Sequence, residues 1–152
     1  MRIAVSADEY THLTRVVLEE LEARGHEVRY FGPEPGQEAD WPDVTAEAVR
    51  QVVRGEADEA IVMCWTGTGA TIAANKVRGV RAALCHDAET AKGARIWNHA
   101  NVLALSMRAT SGPIAREILD AWFDTPYSTD EWNRTQMAKL AHIEAQEAGG
   151  TP

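Results

Sequence analysis

The chain has 152 residues, the length of one ordinary domain with room for a real core, and its 45% apolar and 25% charged residues are those of a soluble globular protein. No apolar run approaches the roughly 20 residues of a membrane helix, and Met1 leads straight into a strand-like segment, so a cytoplasmic protein with no membrane partner is expected. The net charge of −8, without a basic cluster anywhere, excludes a nucleic-acid partner.

Short β-branched runs alternate with helical patterns along the chain. Residues 2–5 read as the first strand and 12–24 as the first helix, with Leu13, Val17, Leu18 and Leu21 on one face and Gly25 as its stop. Residues 27–31 read as the second strand, 32–40 as a Gly- and Pro-rich loop, and Pro42 opens a helix that runs to about Arg54. The uninterrupted apolar run 60–64 is a strand of the buried parallel kind, followed after a Gly-rich turn by a short helix over 70–76. Strand 81–85, helix 88–97, strand 102–105 and helix 111–121 complete the alternation, the last with Ser111 and Pro113 as start signals. A connection over 124–129 leads to a final helix at 130–147, and 149–152 are expected to fray. The pattern predicts one α/β domain over 1–148: a doubly wound five-stranded parallel sheet, a Rossmann-like αβα sandwich, with an appended C-terminal helix.

Ligands of an open parallel sheet bind at the carboxyl ends of its strands. Three segments are expected to gather there: 6–10, Cys64–Gly69 and 97–101. Gly67 and Gly69 leave backbone N–H groups unobstructed at a helix start, where a phosphate or an oxyanion is favoured. The same spacing also suits a tight turn that binds nothing. A dinucleotide fingerprint is excluded because no glycine lies in Ser6-Ala7-Asp8-Glu9-Tyr10, and a Walker motif because Ala74-Asn75-Lys76-Val77 follows the turn. Cys64 and Cys85 read as free thiols. No metal or other cofactor is expected.

Cys64-Trp65-Thr66-Gly67-Thr68-Gly69, followed by Thr71-Ile72-Ala73-Ala74-Asn75-Lys76, resembles the Cys-Gly-Thr-Gly and Ser-Ile-Ala-Ala-Asn-Lys signature of the type B ribose-5-phosphate isomerase and galactose-6-phosphate isomerase family. Asp8 stands where that family has Asp-His, Asp40-Trp41-Pro42 matches its Asp-Tyr-Pro, and blocks 81–87 and 98–104 match in the same order, so the resemblance spans about residues 1–145. It implies an aldose–ketose isomerase working through a cis-enediolate, on a small sugar or sugar phosphate, in a homodimer or tetramer whose last helix completes the partner's site. Cys64 matches the cysteine base of one branch and Thr66 the hydroxyl beside the reacting oxygens. The amides of Gly67, Thr68 and Gly69 would hold the enediolate. The glutamate base of the other branch is absent, because Ala70 stands there. A thiol with an ordinary pKa of about 8.5 is a poor base at pH 7 unless a helix end or a cation lowers it, and a buried structural thiol is the competing reading.

The departures from the pattern fall among the site residues. Trp97, just before Asn98, replaces the histidine for ring opening, with His99 two residues on; Glu9 replaces the histidine after Asp8; and Trp65 replaces a glycine of the signature. Trp132 and Gln136 fall at the two phosphate-gripping arginines, leaving Arg134 or Arg95 as substitutes. A carboxylate about 5 Å from a phosphate repels it by several kcal/mol at an effective dielectric near 20. Losing two arginines forfeits about 1.5–3 kcal/mol each. The isomerase is therefore expected to have altered substrate choice, toward an unphosphorylated or acyclic small sugar, with tryptophans either facing the sugar or filling the vacated site. The alternative is a catalytically silent sugar-binding or scaffold protein on the same fold.

Overall fold

The computed structural model describes residues 1–147, so the 149–152 tail lies outside the described residues. Five strands form one all-parallel sheet: β1 (Arg2–Ala7), β2 (Glu27–Phe31), β3 (Glu59–Cys64), β4 (Ala82–Leu84) and β5 (Val102–Ser106), in the order β2-β1-β3-β5-β4. Six helices alternate with and follow them: α1 (His12–Ala23), α2 (Trp41–Val53), α3 (Thr68–Asn75), α4 (Ala88–Asn98), α5 (Gly112–Asp124) and α6 (Glu131–Glu147). The predicted doubly wound architecture is observed. None of these helices is long and apolar enough to cross a membrane.

The alternation of side chains along each strand divides the core in two. Ile3, Val5, Ile61, Met63, Leu103 and Leu105 face α1, α4 and α5, and meet Leu13, Val17, Ala94, Ile118 and Trp122. Ala4, Val62, Cys64, Val102 and Ala104 face α2 and α3, and meet Ala48, Val49, Ala70 and Ala74. Small residues on this second face let the two helices approach the sheet closely. Helix starts follow local chemistry. The Thr11 side chain and Thr14 form a reciprocal capping box, Asp87 accepts from Thr90 N–H, and prolines occupy the first turns of α2 and α5.

Several boundaries differ from the sequence reading: β1 runs on to Ala7, β5 to Ser106 and α5 to Asp124, and the changes at β4 and α3 have identifiable causes. β4 is only three residues long, because Arg81 and Cys85 pair outside the regular ladder: Arg81 N–H donates to Asn101 Oδ1 and Cys85 N–H to the Ala104 carbonyl. The Asn75 side-chain amide takes both the N–H and the carbonyl of Ala82, at 2.9 Å each. α3 begins two residues early, at Thr68, because Gly67 serves as its N-cap in the left-handed region.

One polar residue sits in the otherwise apolar third strand. Glu59 is 5% exposed, accepts from Arg95 Nη1 at 2.7 Å and from Trp122 Nε1 at 2.5 Å, and Arg95 also donates to the Ala100 and Thr125 carbonyls. Burial raises the Glu59 carboxyl, with the Arg95 charge the main opposing influence. The guanidinium lies against the Trp122 and Tyr127 rings, so it is enclosed on every side. Arg95 is therefore unavailable as a phosphate ligand, contrary to the sequence expectation. Removing one partner of such a pair strands the other: Arg95→Met should cost about 3–5 kcal/mol of folding stability. Adding Glu59→Met should recover part of that loss, as measured by urea denaturation of the single and double variants.

Candidate active site

The crossover of β1 to β2 lies on the opposite face from that of β2 to β3, which makes the gap between β1 and β3 the point where the winding reverses. Ligand sites of open α/β sheets form there, outside the carboxyl ends. Ala7 pairs with Met63, so Asp8 and Cys64 follow side by side at this end. Cys64 pairs on its other side with Ser106 of β5.

The Cys64 turn is built around its glycines. Gly67 has φ 77°, and a Cβ there would lie 2.5 Å from Leu84 Cδ1 and 3.0 Å from the Leu105 carbonyl carbon, so only glycine fits. Ala70 N–H donates to Cys64 Sγ at 3.4 Å, fixing the sulfur, 5% exposed as a residue, at the N-terminus of α3. Gly67 N–H is spent inside the turn on the Cys64 carbonyl at 3.2 Å, which corrects its expected role as an oxyanion donor. The N–H groups of Thr68 and Gly69, first in α3, make no hydrogen bond among the described residues. Thr66 and Thr68 are exposed, and their hydroxyls bond each other at 2.7 Å. The site thus offers a sulfur, two free amides and a pair of hydroxyls. Cys85, by contrast, is wholly buried, and burial pushes its thiol up to about 12.

Three further residues join this cluster that the sequence reading did not assign to the site. The Trp41 ring, at the start of α2, stands where a Cβ on Gly69 would be 3.2 Å from it, and so walls the turn. Ser106 Oγ and Arg108 N–H both donate to the Trp65 carbonyl at 3.0 Å. The Arg108 side chain is exposed, with no ion pair or hydrogen bond among the described residues. Their signal was positional, since each lies at or just beyond a strand's carboxyl end or at the start of the next helix.

Asp8 is half-buried, and its Oδ1 has no hydrogen-bond partner among the described residues. Burial raises its carboxyl, the charges of Glu9 and Glu38 add to that, and its own backbone N–H opposes it. Glu9 is exposed, and its backbone forms an isolated antiparallel bridge with Glu38. A carboxyl raised in the folded state destabilises the fold as it ionises. Asp8→Asn should therefore gain stability over wild type as pH rises from about 3.9, the unfolded value, and level off above the folded one. Thermal melts of both proteins across pH 3.5–8 check this, with the range set about that value of about 3.9.

Trp97, Asn98, Trp132 and Gln136 do not join this cluster. The segment 97–101 lies at the amino ends of β4 and β5, where Asn101 bonds Arg81 and Gly79, and not at the carboxyl ends as expected. A right-handed parallel crossover returns the chain to the opposite edge, and α4 does so here. Trp97 is 58% exposed and its ring lies along its own helix at Gly93. His99, at φ 45°, stacks its ring on Tyr127 at 4.8 Å with Nε2 buried and unpartnered. α6 carries Trp132, 63% exposed, and Gln136, and its later turns reach the start of β4, where Glu144 accepts from Gly79 N–H at 2.7 Å. A groove of about 720 Å³ runs between α6 and that strand, lined by Arg78, Arg81, Asn98, Met137, Leu140 and Ile143 among others. Among the described residues no three His, Cys, Asp or Glu side chains are grouped to hold a metal ion.

Fold and turn together define a small parallel α/β protein that carries a cysteine at a Gly-rich helix start, at the carboxyl end of its sheet. The family model described as Ribose/Galactose Isomerase matches residues 3–140, and the chain belongs to that family. It is similar to the D-erythrulose-4-phosphate isomerase of Pectobacterium atrosepticum, 34% identical over 149 residues, 97% of each chain. It is also similar to the ribose-5-phosphate isomerase B of Escherichia coli, 36% identical over 115 residues, 76% of this chain and 77% of that one. A solved ribose-5-phosphate isomerase B of Clostridium thermocellum superposes with a TM-score of 0.91 at 36% identity, covering 97% of this chain and 99% of that one. These relatives carry isomerase names, in line with the enzyme reading and against the silent scaffold.

Proposed function

We propose that the chain is an aldose–ketose isomerase for an open-chain, four-carbon sugar phosphate, working as a homodimer in the cytoplasm. The observation that carries the open-chain reading is the state of the two residues nearest the missing ring-opening histidine. The indole N–H of Trp97 does not titrate and so cannot serve as an acid or base, and the His99 ring is held against Tyr127 with its Nε2 buried. An aldotetrose phosphorylated on O4 has no hydroxyl left to close a five-membered ring, so it needs no such group. The name of the Pectobacterium relative, a D-erythrulose-4-phosphate isomerase, supports the same substrate class.

In this reading the Cys64 thiolate takes a proton from C1 of the ketose and returns it to C2 through a cis-enediolate, while the O1 proton passes to O2, so that the C2 carbonyl becomes a hydroxyl and C1 the aldehyde. The free N–H groups of Thr68 and Gly69 hold the enediolate oxygen, and Thr66 and Asp8 hold the hydroxyls. The phosphate lies on the β5 side, toward the unpaired Arg108, away from Glu9. The open-chain half of the altered substrate choice is thus kept, and the unphosphorylated half gives way to this cation.

Pairing of two copies supplies what one chain separates. Trp97, Asn98, Trp132 and Gln136 can meet a Cys64 turn only if the turn belongs to another copy. α6 supports this: Trp132, Leu140 and Ile143 are 63%, 43% and 56% exposed, and Asn133 is its one buried residue. Two free, buried thiols suit a reducing compartment.

Steady-state kinetics should rank D-erythrulose 4-phosphate above both ribose 5-phosphate and unphosphorylated erythrulose. Cys64→Ala should lower its turnover by about 10²–10⁴-fold and stop exchange of the C1 proton with heavy water. Ribose 5-phosphate as the better substrate would overturn the open-chain reading, and free erythrulose as the better one would overturn the role of Arg108. Sedimentation at micromolar concentration should give a dimer, and a monomer with full activity would refute the shared site.

A further inference from the structure

We infer that the indole of Trp65 sets the length of sugar chain that the site accepts, admitting four carbons and excluding the fifth; this rests on the four-carbon reading above. Trp65 follows Cys64 directly, and its carbonyl is held by Ser106 Oγ and Arg108 N–H, both at 3.0 Å. The residue therefore lies between the sulfur that moves the proton and the backbone of the arginine toward which the phosphate is directed. A substrate that touches both must pass this position.

The ring is not core filling. Trp65 is 58% exposed, whereas Cys64 before it is 5% exposed and Gly67 beyond it is buried. No other aromatic ring stacks on it and no cation covers it among the described residues. Nor can the turn move to make room. Its backbone is tied to β5 on one side, Gly67 is closed by Leu84 and Leu105, and Trp41 walls Gly69. An indole occupies the space of several CHOH units, which a glycine at this position would leave open. With the turn fixed at Gly67 and Gly69, a longer chain reaching from Cys64 toward Arg108 would meet the indole. Its apolar face suits the C–H side of a short chain and gives no partner to an extra hydroxyl.

The test uses two ketose phosphates that are both open chains, D-erythrulose 4-phosphate and D-ribulose 5-phosphate, because O4 and O5 respectively are blocked. Ring opening then plays no part in the comparison. Wild type should prefer the four-carbon substrate in kcat/KM. In Trp65→Gly the ratio of five- to four-carbon kcat/KM should rise by about 10–200-fold, the range one extra carbon commands in a fitted pocket, with Trp65→Phe between the two. An unchanged ratio in a Trp65→Gly protein that melts cooperatively would overturn the inference while leaving the four-carbon reading intact. Wild type preferring ribulose 5-phosphate would instead sink that reading, and the inference with it. If Trp65→Gly sedimented as a monomer, the ring would belong to the contact between copies and the inference would fail.

Discussion

In an all-parallel sheet every crossover helix must carry the chain from the carboxyl end of one strand to the amino end of the next. Residues at a helix start and residues at a helix end therefore lie at opposite edges of the same domain. Here that rule puts Asp8, Cys64 and the α3 amides at one edge, and Asn98 with the α4 end at the other. No loop rearrangement within one chain closes that separation, since the strands between them are buried along their whole length. The proposed pairing of two copies would bring the two edges together, and α6 leaves Trp132, Leu140 and Ile143 exposed.

The fold was legible because strand and helix each left a periodic trace. The run 60–64 is apolar throughout and proves buried on both faces, and the α1 pattern of Leu13, Val17 and Leu21 points into the core. Boundaries slipped where the backbone bonds to a side chain instead of a neighbouring strand, as at Arg81 with Asn101. The Cys64 turn was legible too, as glycines ending an apolar run.

Less legible were the partnerships that tertiary packing decides. Arg95 looked like a free cation in sequence, yet it is enclosed by Glu59, Trp122 and Tyr127, which lie 27–36 positions away. Gly67 looked like an oxyanion donor, but its N–H closes the turn it belongs to. The segment 97–101 was assigned to the wrong edge although it follows a crossover helix and leads into β5, which puts it at the amino end of that strand. Arg108 passed unnoticed since nothing local marks it, and only its backbone bond to Trp65 brings it to the turn.

The bidentate grip of Asn75 on Ala82 has a consequence for how copies of this chain can meet. β4 is a border of the sheet, and a border strand with unpaired N–H and carbonyl groups invites another chain to extend the ladder. A carboxamide carries one donor face and one acceptor, and here it stands in for the missing neighbour at the middle of that invitation. Zipper-like growth from this border is thereby discouraged at the cost of a single side chain. At this border, then, a second copy is turned away from the ladder, while the opposite border at β2 carries no such side-chain grip among the described residues.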